Sequence, residues 1–228
     1  MVARLTLGSG QQEVVRWTAI VTMVVDHVGA VLLEPSAALP LRAVGRVAWP
    51  LFAFLLAYNV ARRGVDPVRY LRPLALWYAL SVLPYALAFG TFRPNILATL
   101  FLAAGALALL TRSGQLSGWR QALAALGLLA VLLASVRVEY GTPGVLLPVC
   151  TWWALARPSA GAALLTVALV AAQNHPWVVW PAALLALPVP FVAARLAFGL
   201  PRSGRLAWAF YPAHLLLLGG VAHLLGRG

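Results

Sequence analysis

An all-α, polytopic membrane helix bundle of about nine transmembrane helices (eight to ten) is predicted by three features of this 228-residue sequence. Hydrophobic residues make up 62% of the chain, with a mean hydropathy of +0.88 and only five acids. The apolar residues come in runs of roughly 18 or more, the length that crosses a hydrocarbon layer of about 30 Å. No period-two alternation of a β-barrel is present, and an open-ended backbone in lipid satisfies its polar groups only as helix.

Taken in order, the spans are expected near 13–33, 43–61, 69–90, 95–111, 119–136, 140–156, 159–174, 177–198 and 206–225. The first carries Arg16 near its start and ends before the acidic punctuation at Glu34. The second opens at Arg46 and closes on Arg62 and Arg63, and the third enters through "RYLRPL". Asn95 and Arg112 bound the fourth, Trp119 and Arg137 the fifth, Glu139 and Arg157 the sixth. The seventh is short, the eighth carries Pro181, Pro188 and Pro190, and the ninth follows Arg205. No soluble segment or internal repeat interrupts them, so residues 1–228 read as one membrane domain.

The formal charge is +12 and every basic residue is an arginine. Most arginines sit at the ends of apolar runs rather than in one stripe, a mark of membrane topology and not of a phosphate-binding face, so no nucleic-acid partner is expected. With nine spans, Arg42, Arg46, Arg93, Arg137 and Arg227 fall on one side and the other twelve on the side of the N-terminus. That bias predicts a cytoplasmic N-terminus in a multi-pass protein of the bacterial inner membrane, surrounded by membrane lipid. The first apolar run lacks the layout of a cleaved signal peptide.

Absent lysine excludes Schiff-base chemistry. Cys150 is the only cysteine, which excludes an internal disulfide and a thiolate cluster. His27, His175, His214 and His223 lack the i, i+4 spacing of a helical metal site, so no metal is expected. GxSxG and HExxH sequences are also missing, which argues against a membrane protease.

What remains is a set of polar groups placed at one depth. "TMVVDHVGAV" puts Asp26 and His27 in the outer half of the first span, where each ionisable group costs about 2.5–3.5 kcal/mol to insert. Successive residues lie about 100° apart on a helix, so one faces a cavity while the other packs toward a second helix. Either Asp26 orients His27, or it pairs with Arg46 and locks two helices. "GRVAWPLFAF" places Arg46 four residues before Pro50, which leaves the arginine's carbonyl without its helical donor and predicts a kink there. Asn95 and Thr99 share one face at a helix start, either as a cradle for an anion or carbonyl or as an ordinary cap. Glu139 and Tyr140 open the sixth span, and "FYPAHLLLL" puts Tyr211 and His214 on one face of the last.

Six stretches in order, "MVVDHVGAV", "GRVAWPLFAFLLA", "RYLRPL", "NILATL", "EYGTPGVLL" and "FYPAHLLLL", resemble the TraX family of membrane proteins, from about residue 16 to the end. The resemblance implies a transmembrane acyltransferase with acetyl-CoA as donor, acting on an amine or hydroxyl of a pilin, a cell-surface glycan or a small molecule. It also implies that Asp26, His27, Arg46 and the Tyr211–His214 segment are core positions. On this reading His27 is the general base, with Asp26 beside it. Arg46, Asn95, Thr99, Tyr140, Tyr211 and His214 are expected to hold the acyl-CoA or the developing oxyanion. The competing expectation is a non-enzymatic assembly partner or a small transporter.

Overall fold

The structure is a computed structural model that describes residues 5–172, 180–204 and 206–227. Arg4, His175 and Arg205 lie outside them, as do parts of the expected 159–174 and 177–198 spans. Among the described residues every regular element is helical. The order is α1 (Ser9–Leu32), α2 (Pro35–Gly45), α3 (Ala48–Arg63), α4 (Val68–Phe89), α5 (Ile96–Ser113) and α6 (Trp119–Ser135). There follow α7 (Gly141–Ala156), α8 (Ala160–Ala172), α9 (Trp180–Ala183), a 3-10 turn at Leu184–Ala186, α10 (Val189–Arg195) and α11 (Leu206–Leu224).

Five helical runs are long and apolar enough to cross a membrane: Ser9–Leu32, Pro35–Arg63, Val68–Phe89, Ile96–Ser113 and Leu206–Leu224. At 1.5 Å per residue, the 17 residues of α6, 16 of α7 and 13 of α8 rise roughly 20–25 Å, less than a full hydrocarbon layer. Proline breaks up the eighth expected segment, where α10 starts immediately after Pro188.

The lipid face is legible in the burial pattern. Leu76, Leu80, Leu83 and Leu87 form an exposed stripe along α4 at spacings of three and four. A stripe of that kind suits hydrocarbon and not water. The core lies between α3, α4, α5, α7 and α11, around the fully buried Trp49, Leu74, Leu107, Leu147 and Leu215.

Two departures shape the site. The second span is not a helix kinked at Pro50: α2 stops at Arg46, and α3 restarts at Ala48. Pro50 therefore occupies the first turn of α3, where its missing N–H costs no helical hydrogen bond. The interruption leaves Arg46 as the terminal cap of α2, its N–H shared between the carbonyls of Arg42 and Ala43, while the Val47 N–H donates to that of Val44.

Helices α1 and α11 run parallel. At one end Ser203, just ahead of α11, donates from its Oγ to Glu13 at 2.7 Å. At the other, Arg227 donates to the carbonyl of Leu32, closing the two C-terminal ends together. A parallel first and last helix is what an odd number of crossings requires. It also gives the molecule two distinct poles, one marked by Arg16 and one by Asp26.

Candidate active site

At the Asp26 pole, α1 splits its two polar neighbours as the helical angle demands. Asp26 turns to α2, where Arg42 Nη1 donates to its Oδ2 at 2.9 Å. His27 turns to α11 and α4, with its ring edge against Phe89 and Tyr211. The expected Asp26–Arg46 ion pair is thus corrected: Arg42, one helical turn earlier, takes the carboxylate. The cause is close approach. A Cβ at Gly45 would overlap the Asp26 side chain, so the bare glycine seats the carboxylate against the end of α2. Gly29 does the same for α1 and α2 one turn on, where a Cβ would lie 2.9 Å from that of Leu41.

His27 Nδ1 and His214 Nε2 are 2.8 Å apart, and the two rings are within 5° of parallel. His214 Nδ1 lies 2.9 Å from the carbonyl of Phe210. A carbonyl only accepts, so His214 carries its proton on Nδ1 and offers the lone pair of Nε2. His27 must then donate from Nδ1, which leaves Nε2 as its basic nitrogen. Both rings are buried. The relay is built by helix position alone: His27 is one turn beyond Met23 on the buried face of α1, and His214 is one turn beyond Phe210 on α11.

Four buried polar atoms on the helices that meet here have no hydrogen-bond partner: Tyr211 Oη, on the ring that meets both histidines, Asp26 Oδ1, Arg46 Nε and Trp49 Nε1. Arg46 is 8% exposed, Trp49 1% and Tyr211 5%, so bulk water does not satisfy them. Buried polar groups are ordinarily paired, and leaving one unpaired costs about 1–3 kcal/mol. Three of the four are donors.

The floor of the site comes from two stitched loops. Asn95 caps α5, its Oδ1 accepting from the Leu97 N–H at 3.0 Å and its Nδ2 donating to Ser81 Oγ at 2.8 Å. Thr99 Oγ1 donates to the carbonyl of Glu139 at 2.6 Å, and the Glu139 N–H donates to the carbonyl of Pro94 at 2.9 Å. The Asn95 and Thr99 side chains are therefore engaged in tying α4, α5 and the start of α7 together. Tyr140 stacks on Trp49 with ring centres 5.1 Å apart. It alone among the described non-glycine residues has a positive φ, 64°, a conformation that costs energy and is held here by that stack. The Glu139 carboxylate lies in electrostatic reach of Asp26, Arg42 and Arg46.

The structure thus brings His27, His214 and Tyr211 into direct contact. Asp26 and Arg46 lie in electrostatic reach of Tyr140, and Asn95 and Thr99 tie the neighbouring loops. Arg42 and Trp49 were missed as site residues. Arg42 read as a topology marker, although its spacing of four from Arg46 was a signal of one basic helix face. No feature of the sequence marks Trp49 or says that its N–H is left unpaired.

The TraX protein family matches residues 11–222. A curated Protein TraX of Escherichia coli is 32% identical over 144 residues, covering 63% of this chain and 56% of that protein. Protein TraX of Escherichia coli strain K12 is 32% identical over 149 residues, with the same coverage. These alignments span just over half the length of the relatives. No solved structure matches. The family match takes in all six sequence stretches and both histidines of the relay, and the chain belongs to the TraX family.

Proposed function

We propose that the chain is an inner-membrane acetyltransferase, its N-terminus cytoplasmic, that moves an acetyl group from acetyl-CoA to an amine or hydroxyl of a pilin or cell-surface glycan. The observation that carries this reading is the buried His27–His214 relay, met by the ring of Tyr211, whose hydroxyl has no partner. A base with one free nitrogen next to an idle hydroxyl is what acyl transfer needs, and helix packing alone has no use for it.

In this mechanism His27 Nε2 takes the acceptor's proton as its nitrogen or oxygen attacks the thioester carbonyl. Arg46 Nε, Trp49 Nε1 and Tyr211 Oη donate to the oxygen as it becomes negative. The carbon–sulfur bond then breaks, and the proton held by His27 passes to the leaving thiolate. His214 stabilises the imidazolium by accepting from its Nδ1, and Asp26 holds the local charge balance with Arg42. Tyr140 fixes the indole of Trp49, while Asn95 and Thr99 hold the loops that carry it.

The test is transfer from radiolabelled acetyl-CoA to membrane fractions containing pilin or surface glycan. The wild-type protein should label an acceptor, and His27→Ala should abolish labelling with expression and membrane insertion unchanged. Full labelling by that variant removes His27 as base. Absence of acyl-CoA binding to the purified wild-type protein favours an assembly partner instead.

A further inference from the structure

The Arg16 pole carries a second polar concentration that the histidine site does not use. Between α1, α3, α4 and the segment ahead of α11 lies a cavity of about 640 Å³, with Gln12, Glu13, Arg16, Asn59, Arg63 and Arg202 on its walls. Three arginines face a single carboxylate, and that carboxylate is already engaged. Glu13 Oε2 accepts from the backbone N–H and Oγ of Ser203, while Oε1 lies 3.3 Å from Arg16 Nε. Arg63 uses Nη1 on Gln12, and Arg16 Nε makes no hydrogen bond. Surplus guanidinium donors in a cavity of this size suit a ligand head with several negative oxygens.

A second cavity adjoins the inner end of this vestibule. Narrower, mostly apolar and of about 100 Å³, it shares Arg16, Phe52, Leu100 and Trp208 with the vestibule and continues to Met23 and Tyr211. Met23 is one turn from His27, and the Tyr211 ring centre is 6.3 Å from that of His27. A wide cationic mouth, a thin apolar neck and a buried base therefore follow one another along α1. From Arg16 to His27 the helix rises roughly 16 Å. The neck has no room for a sugar or a base, so the ligand is a charged head on a slender arm.

We propose that the vestibule of Arg16, Arg63 and Arg202 holds the phosphorylated nucleotide of an acyl-CoA, and that its pantetheine arm passes through the neck to His27. The proposal rests on the transferase reading and adds to it that donor and acceptor reach the relay from opposite poles. The acceptor then needs no path past the nucleotide.

The test uses the full-length protein in nanodiscs, titrated with 3′,5′-ADP and with acetyl-CoA. Wild type and His27→Ala should bind both. Arg16→Gln/Arg63→Gln should weaken both by at least about tenfold. Arg202→Glu, at an exposed position, should weaken both and raise the donor KM with little change in kcat. Ala207→Trp, in the neck and not on the vestibule wall, should keep 3′,5′-ADP binding and lose transfer. Unchanged binding and KM in the arginine variants overturns the vestibule and leaves the transferase standing. Binding of 3′,5′-ADP with no transfer to any acceptor by wild type overturns the transferase and leaves the nucleotide site. Displacement of bound 3′,5′-ADP by short-chain phosphatidic acid at lower concentration than acetyl-CoA overturns the nucleotide assignment in favour of a phospholipid head.

Discussion

His27 and His214, 187 residues apart in the chain, share one hydrogen bond of 2.8 Å, and the carbonyl of Phe210 fixes its direction. That direction separates the roles of the two rings. His27 retains a free nitrogen, whereas both nitrogens of His214 are engaged. His27→Ala is expected to remove transfer altogether. His214→Ala is expected to lower kcat by about 10²–10⁴ while leaving donor KM within a factor of about two, since it deletes support for the imidazolium and no substrate contact. Steady-state kinetics on the two purified variants, with wild-type thermal unfolding as the control, checks the split. Equal loss through KM alone would refute it.

The fold class and most residues of the candidate site were legible in the sequence because both follow from patterns that repeat along a helix. Run length gives the spans, and the expense of burying Asp26, His27 and His214 in lipid marks them for use. What could not be read was lateral choice. Arg42 and Arg46 lie one turn apart on the same segment, and which one meets Asp26 depends on where α2 breaks. That break is set by the packing of Gly45 on Asp26, a contact between two helices that neither helix encodes alone. Likewise the unpaired indole of Trp49 is a property of its surroundings.

The Asp26–Arg42 pairing yields a test by double-mutant cycle. Arg42→Ala strands a mostly buried carboxylate whose Oδ1 is already without a partner, so it should cost about 3 kcal/mol of stability. Asp26→Asn in the same background should recover most of that loss. Arg46→Ala should show little coupling to Asp26→Asn, below about 0.5 kcal/mol. The measurement is reversible unfolding in mixed micelles. Strong coupling to Arg46 and none to Arg42 would restore the pairing expected from sequence.

Gly45 offers a purely steric prediction. A methyl group there meets the Cβ, carboxyl carbon and Oδ1 of Asp26, none of which is the free end of a long side chain. Gly45→Ala should therefore destabilise the protein by about 1–3 kcal/mol and impair transfer, because Asp26 must move away from Arg42. Combining it with Asp26→Ala should relieve the clash and return stability toward that of Asp26→Ala alone, but not activity. Thermal unfolding of the three variants decides it, and Gly45→Ala stability equal to wild type would contradict the close approach.

Outside the membrane-spanning segments, Asp66 provides a pH-dependent tie at the Arg16 pole. It sits in the turn between α3 and α4, its Oδ1 accepting from the Val68 N–H at 3.0 Å. Arg112 Nη2, at the end of α5, lies 2.8 Å from Oδ1 and 2.6 Å from Oδ2. The backbone hydrogen bond from Val68, followed by that from Arg112, holds the Asp66 carboxyl below its ordinary value of 3.8. A depressed carboxylate contributes its stability in full above the ordinary value and loses it as pH falls through the folded one. The unfolding midpoint of wild type should thus exceed that of Asp66→Asn by a constant amount near neutral pH. The gap should narrow only once the pH drops below about 4. High salt should shrink the gap at neutral pH as well, because the pair is partly exposed. A gap that instead grew on acidification would reverse the sign of the linkage and show that Asp66 is held neutral.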